Sequence, residues 1–142
     1  MKFYTVGYGG RKPQDFVALL KQNNIKTVVD VRLYPSSGGL GIYKKAKDHN
    51  KGIQGLLSTA NIEYISLIEL GNNFMHYENW RELYRGFMDK VGDVLIELLN
   101  NALKLHSLPF CLMCCEKKAS NCHRKIITDY LIQQGHEVEH IE

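Results

Sequence analysis

Three junctions in this chain are built alike, and together they restrict what it can fold into. Asn24-Ile25-Lys26, Asn61-Ile62-Glu63 and Gly135-His136-Glu137 each follow a helical pattern with a residue that tolerates left-handed backbone. An apolar or aromatic residue and then a strand come next. Helices that alternate with short apolar strands imply an α/β fold, with a mostly parallel sheet covered by helices on both faces. At 142 residues the chain is long enough for one core, so it is read as a single domain, 1–142, with a sheet of about five strands.

The pattern along the chain fills in that frame. Phe3 to Tyr8 reads as the first strand, and Gly7-Tyr8-Gly9-Gly10-Arg11-Lys12 leads into a helix with Pro13 at its first position. A dinucleotide fingerprint needs a third glycine where Lys12 stands, so that binding mode is excluded. A glycine-rich turn with Arg11 beside it is either an anion site or simply a tight turn. Thr27 to Arg32 is the clearest strand, apolar and β-branched except for Asp30 and Arg32, which alternation puts on one face. A carboxylate among valines needs a partner, and the pair is either a structural ion pair or a site carboxylate with its orienting cation. From Leu33 to Lys51 periodicity is lost in a stretch holding Ser36-Ser37-Gly38-Gly39 and Lys44, Lys45, Lys47 and Lys51. Such a loop either closes over an anionic ligand or stays solvated.

Ile53, Leu56, Leu57 and Ala60 predict a short helix, Glu63 to Leu67 a third strand, and Glu69-Leu70-Gly71 a turn. Trp80, Leu83, Tyr84, Phe87, Met88 and Val91 recur at helical spacing and are read as core. Gly92 is expected to end that helix, and Asp93 to cap another running to about Lys104. His76 and His106 lie at segment edges with no ligand-like spacing. The last helix stops at Gly135, and Glu137 to Ile141 reads as the final strand.

All four cysteines lie between Pro109 and Arg124. Phe110 to Met113 is of strand length, Glu116 to Asn121 is polar turn material, and from Cys122 onward Ile126, Ile127, Tyr130 and Leu131 have helical spacing. Thiols thus flank one loop. Cys122, His123 and Arg124 are expected on the first turn of the helix, where free N–H groups and the macrodipole favour a thiolate or another anion. Cys111, inside the strand, is read as a buried hydrophobe.

Ligands of open parallel sheets bind beyond the C-terminal strand ends, and the chain's odd polar residues collect there. Thr5-Val6-Gly7, Val29-Asp30-Val31-Arg32 with Pro35, Glu69-Leu70-Gly71, and Cys114-x-Glu116-Lys117 followed by Cys122-His123-Arg124 resemble the domain of unknown function 488 family over nearly the whole chain. Tyr8-Gly9-Gly10 departs from the His-Ser-Asn-like run common there, and Cys115 stands where alanine is common. The resemblance implies a fold and a site around these motifs but no established reaction. A fainter, fold-level resemblance is to rhodanese-like domains, from which the longer loop Glu116 to Asn121 departs.

Composition is that of an ordinary globular protein, 44% hydrophobic and 23% charged, with no apolar run of membrane-spanning length. The N-terminus lacks a signal-peptide core, so a cytoplasmic protein is expected, and clustered cysteines there suggest reactivity or metal rather than disulfide scaffolding. The favoured expectation is an enzyme acting on a phosphorylated or otherwise anionic, nucleotide-like substrate. In it Cys122 or Cys114 is the thiolate, His123, Glu116 and Asp30 assist, and Arg124, Arg32, Arg11, Gly7, Glu69 and Gly71 bind the anion. No cofactor and no metal are expected. One alternative is a metal-binding domain drawing on Cys111, Cys114, Cys115, Cys122 and His123, although strand alternation turns several of these apart. Another is a nucleic-acid-binding module using Lys44, Lys45, Lys47 and Lys51 with Tyr43 and Tyr34, where the segment Tyr43 to Lys51 carries a charge equal to the whole net +3.

Overall fold

The three junctions close in the same way. Asn24 and Asn61 adopt φ of 57° and Gly135 of 93°. In each, the following N–H reaches back to the last helical turn: Ile25 to Leu20 O at 3.0 Å, Ile62 to Leu57 O at 3.0 Å and His136 to Leu131 O at 3.1 Å. The N–H groups of Asn24, Asn61 and Gly135 bond to Lys21, Ser58 and Ile132 carbonyls. Orphan carbonyls at three helix ends are thereby satisfied and the chain is aimed at the sheet.

The computed structural model describes residues 1–37 and 41–142. Its strands are β1 (Lys2–Gly7), β2 (Thr27–Asp30), β3 (Glu63–Ser66), β4 (Phe110–Cys114) and β5 (Glu137–Ile141), all parallel, in the order β3-β2-β4-β1-β5. The helices are α1 (Pro13–Gln22), α2 (Gly52–Ser58), α3 (Trp80–Leu103) and α4 (Arg124–Gln133). One core joins α1 and α2 to Val6, Val28, Cys111 and Met113; the other joins α3 and α4 to Phe3, Val29, Leu112 and Cys114. Strand alternation therefore puts Cys111 and Cys114 on opposite faces. The connections leaving the adjacent strands β2 and β4 run to opposite faces, which opens a crevice beyond their C-terminal ends.

The structure departs from expectation at several points. Gly92 does not end a helix: α3 runs unbroken through it, and a Cβ there would stand 2.7 Å from the Tyr130 ring of α4. The glycine serves helix–helix approach, and the Asp93 carboxylate accepts the Tyr130 hydroxyl instead of capping a helix. β2 pairs only as far as Asp30, so Arg32 lies in the turn beyond it. The aperiodic stretch is not simply solvated. A single 3₁₀ turn, Gly41–Tyr43, carries Tyr43, 1% exposed, onto the Tyr8 ring at 4.5 Å, with its hydroxyl donating to Arg11 O at 2.8 Å. Lys45 bridges Gly52. The Gly38-Gly39 portion lies outside the described residues.

The left-handed caps predict a measurable asymmetry. Asn61→Val should cost about 1–2 kcal/mol, because a β-branched residue is forced into left-handed backbone, whereas Asn61→Gly should be close to neutral. Urea unfolding of the two variants checks this; equal midpoints would contradict it.

Candidate active site

The site begins where the chain leaving β4 crosses the end of β1. Gly7 pairs in register with Cys114, and a Cβ on Gly7 would fall 1.8 Å from Glu116 O. The Tyr8 N–H donates to Cys114 O at 3.1 Å and the Gly9 N–H to Cys115 O at 2.8 Å. Arg124, fully buried, completes the junction: Nη1 donates to Glu116 O at 2.5 Å, Nη2 to Lys117 O at 3.1 Å and Nε to Thr5 Oγ1 at 3.2 Å. For Arg124, expected as an anion-binding residue, three of the five N–H groups face two carbonyls and a hydroxyl, and the side chain does not line the cleft beside Cys114 and Cys122. Arg11 turns Nε onto Gly7 O at 2.8 Å and leaves Nη2 buried with no partner among the described residues. Gly7 serves close approach of two loops.

Cys122 lies just before α4 rather than on its first turn, in extended backbone, with His123 as the helix cap. Its sulfur accepts the Arg124 N–H at 3.5 Å, its carbonyl accepts the Lys125 N–H at 3.2 Å, and His123 O accepts the Ile126 N–H at 2.9 Å. The helix start is thus capped from within, and the sulfur takes the place foreseen for an external anion. His123 Nε2 sits 2.8 Å from Val31 O; a carbonyl only accepts, so Nε2 carries a hydrogen and Nδ1 is left to the sulfurs. Nδ1 stands 3.7 Å from Cys122 Sγ and 4.0 Å from Cys114 Sγ. Tyr84 packs edge-on to the imidazole at 5.3 Å.

These surroundings drive the two thiols apart. A hydrogen bond from Cys114, followed by His123 and the Arg124 charge, outweighs burial and holds Cys122 well below the usual thiol range. The same bond from the donor's side, together with burial, pushes Cys114 well above it. Cys111, wholly enclosed, is pushed up by burial.

Asp30 and Arg32 form a two-pronged ion pair, Nε to Oδ1 at 2.9 Å and Nη2 to Oδ2 at 2.7 Å. Tyr64 donates to Oδ2 at 2.5 Å, and Arg32 Nη1 donates to the Tyr8 hydroxyl at 3.2 Å. Burial opposes the Arg32 charge, but Asp30 more than offsets it, so the guanidinium is held charged. Burial pushes the Tyr8 phenol up to about 12 despite Arg32.

The two thiols and His123 open onto a cleft of about 470 Å³. Arg32 and Tyr8 line it beside Leu33 and Tyr34; Asn72, Met75 and Trp80 enter from the segment leading into α3, and Cys115, Glu116 and Asn121 from the loop. Of the expected site residues, the cleft brings together Cys114, Cys122, His123, Arg32 and Glu116. Asp30, 0% exposed, acts on it through Arg32. Glu69 is exposed on a 3₁₀ turn, and Gly71 is buried where a Cβ would meet Leu33 Cα at 2.5 Å. Neither these two nor Lys44, Lys45, Lys47 and Lys51 line the cleft. Sequence reasoning missed Asn72, Met75 and Trp80 as cleft residues and placed Tyr34 only with the lysine-rich loop of the nucleic-acid alternative. Trp80, first in its helical stripe, was the one with a signal, because a stripe's end can reach past the sheet.

A family model described as Domain of unknown function DUF488 matches residues 12–131. The chain belongs to the DUF488 family. The DUF488 match takes in Asp30, Arg32, Cys114, Glu116, Cys122, His123 and Arg124 and begins after Gly7 and Tyr8. Comparison with curated proteins and with solved structures returns no match, and the rhodanese-like resemblance is not shown. No helix among the described residues is long and apolar enough to cross a membrane.

If Arg124 anchors the loop, Arg124→Met should leave the carbonyls of Glu116 and Lys117 without their donor and lower stability by more than about 3 kcal/mol. Denaturant melts check this. An unchanged midpoint would mean that the side chain is dispensable to the fold.

Proposed function

We propose that this DUF488 protein is a cytosolic enzyme using the Cys122 thiolate as nucleophile on a small anionic substrate of nucleotide size held in the cleft. The observation carrying this reading is that two cleft-lining thiols share one imidazole nitrogen, His123 Nδ1, while their surroundings favour thiolate on Cys122 and thiol on Cys114. In this reading His123 Nδ1 takes and returns a proton, and its Nε2–H bond to Val31 O fixes the ring. Arg32 Nη1, the guanidinium nitrogen not bound to Asp30, meets the substrate's anionic group beside Tyr8. Trp80, Met75 and Tyr34 flank its apolar body. The cleft volume is that of a small-molecule site. Lys44, Lys45, Lys47 and Lys51 lie outside the lining, so nucleic acid is not part of this reading.

One observation favours a second reading. Donor atoms of Cys114, Cys122 and His123 all lie within 4.8 Å of one another. Three such donors beside a cleft, with the other imidazole nitrogen held by a carbonyl, suit a zinc ion that keeps one position for substrate. Cys111 faces the opposite core and Cys115 is exposed, so neither joins the set.

Peptide-mapped alkylation with iodoacetamide separates the readings. Cys122 should reach its plateau rate below the free-cysteine pKa of about 8.5, and the rate should fall as pH drops through its own lowered value. Cys114→Ala removes the donated hydrogen bond and should move that limb to higher pH. Labelling of Cys122 only after unfolding would remove the nucleophile. Stoichiometric zinc in the purified protein, with labelling that appears only after chelation, would favour the metal reading.

A further inference from the structure

The proposed nucleophile accounts for Cys122 but not for Cys114. A thiol that merely donated a hydrogen bond could be a serine or a backbone N–H, yet here a second sulfur from a different element meets the first. Cys114 ends β4, whereas Cys122 precedes α4, and the loop between them is pinned by Arg124. Both sulfurs line the cleft and both are free. Of the other cysteines, Cys111 lies in the opposite core, and Cys115 also lines the cleft but is exposed and stands outside the group in which the Cys114 and Cys122 sulfurs lie within 4.8 Å of each other. A neighbouring thiol gains nothing when Cys122 carries an acyl or phosphoryl group, because its attack at carbon or phosphorus would expel the Cys122 thiolate and only move the group from one cysteine to the other. Its attack is productive when Cys122 is bonded to a leaving sulfur.

We infer that Cys114 is a resolving thiol and that the substrate class is a small anionic disulfide, which the Cys122–Cys114 pair reduces. This rests on the thiolate reading above and extends it. In the first step the Cys122 thiolate attacks one substrate sulfur; the substrate S–S bond breaks, and the other half leaves with the electron pair and takes up the proton that His123 Nδ1 shares with the resting thiolate, which frees Nδ1. In the second, Cys114 gives its proton to His123 Nδ1, and its sulfur attacks Cys122 Sγ. The mixed disulfide breaks, the remaining half leaves as a thiolate, and a Cys114–Cys122 bond forms. The substrate gains two electrons and the protein dithiol loses two; a small dithiol reductant restores it. The new bond would tie the end of β4 to the start of α4 across the pinned loop.

The test uses the full chain carrying Cys115→Ala, which removes the exposed thiol, and dithiobis(nitrobenzoate), an anionic aromatic disulfide whose released thiolate is coloured. Two equivalents of thiolate should be released per chain, the second at a rate independent of reagent concentration. Peptide mapping should then find Cys114 joined to Cys122. Adding Cys114→Ser should halve the release to one equivalent and leave a stable adduct on Cys122; adding Cys122→Ser should abolish the fast release. A stable Cys122 adduct with Cys114 intact overturns the resolving role and leaves the nucleophile standing. Failure of Cys122 to react overturns both. As a check free of substitutions, mild oxidation of the unsubstituted chain should give the Cys114–Cys122 disulfide within one chain. A Cys115 disulfide in its place counts against the inference.

Discussion

The whole cleft hangs on one buried cation. Arg124 has no exposed surface and no carboxylate partner among the described residues; its guanidinium is satisfied by the carbonyls of Glu116 and Lys117 and by Thr5. A charge so placed is costly unless it is hydrogen-bonded, and here three of the five N–H donors hold the path of the loop. That loop begins at Cys114 and ends at Cys122, so a single side chain from α4 fixes the separation of the two sulfurs. The Arg124 charge acts on both sulfurs, adding the smallest of the effects that lower Cys122 and partly countering the rise of Cys114.

The same arrangement accounts for an apparent paradox. A helix start flanked by Cys, His and Arg invites an external anion, yet the first N–H groups of α4 are bonded within the chain. In the proposed reading the local field favours a covalently attached anion, the Cys122 thiolate. In that reading the substrate's charge meets a different cation, Arg32, which lines the cleft and whose orientation is set by Asp30 and Tyr64 from the far side. Two arginines thus divide the work, one behind the sulfur and one beside the substrate space.

Much of this fold was legible in the sequence because its signals are local. Asn24, Asn61 and Gly135 announce their backbone by residue type, and a valine-rich strand interrupted by Asp30 and Arg32 announces a paired, buried charge. Gly92 misled because glycine marks both a helix end and a close helix contact, and only the tertiary position of Tyr130 tells them apart. The roles of Arg124 and Arg32 could not be separated in sequence for the same reason: each lies beside a strand end, and what each faces is decided by loops whose course has no period. Met75 and Asn72 reach the cleft through the approach to α3, and nothing in their spacing signals that destination.

The central claim is that the resting chain holds one thiolate and one thiol side by side at the cleft. Thiolate absorbance in the ultraviolet, followed against pH in the native chain and in Cys122→Ser, tests it directly. The account predicts a first ionisation step well below the range of a free cysteine, present in the native chain and missing from Cys122→Ser. Absorbance rising only in or above the free-thiol range, or a low step that survives the loss of Cys122, would contradict it.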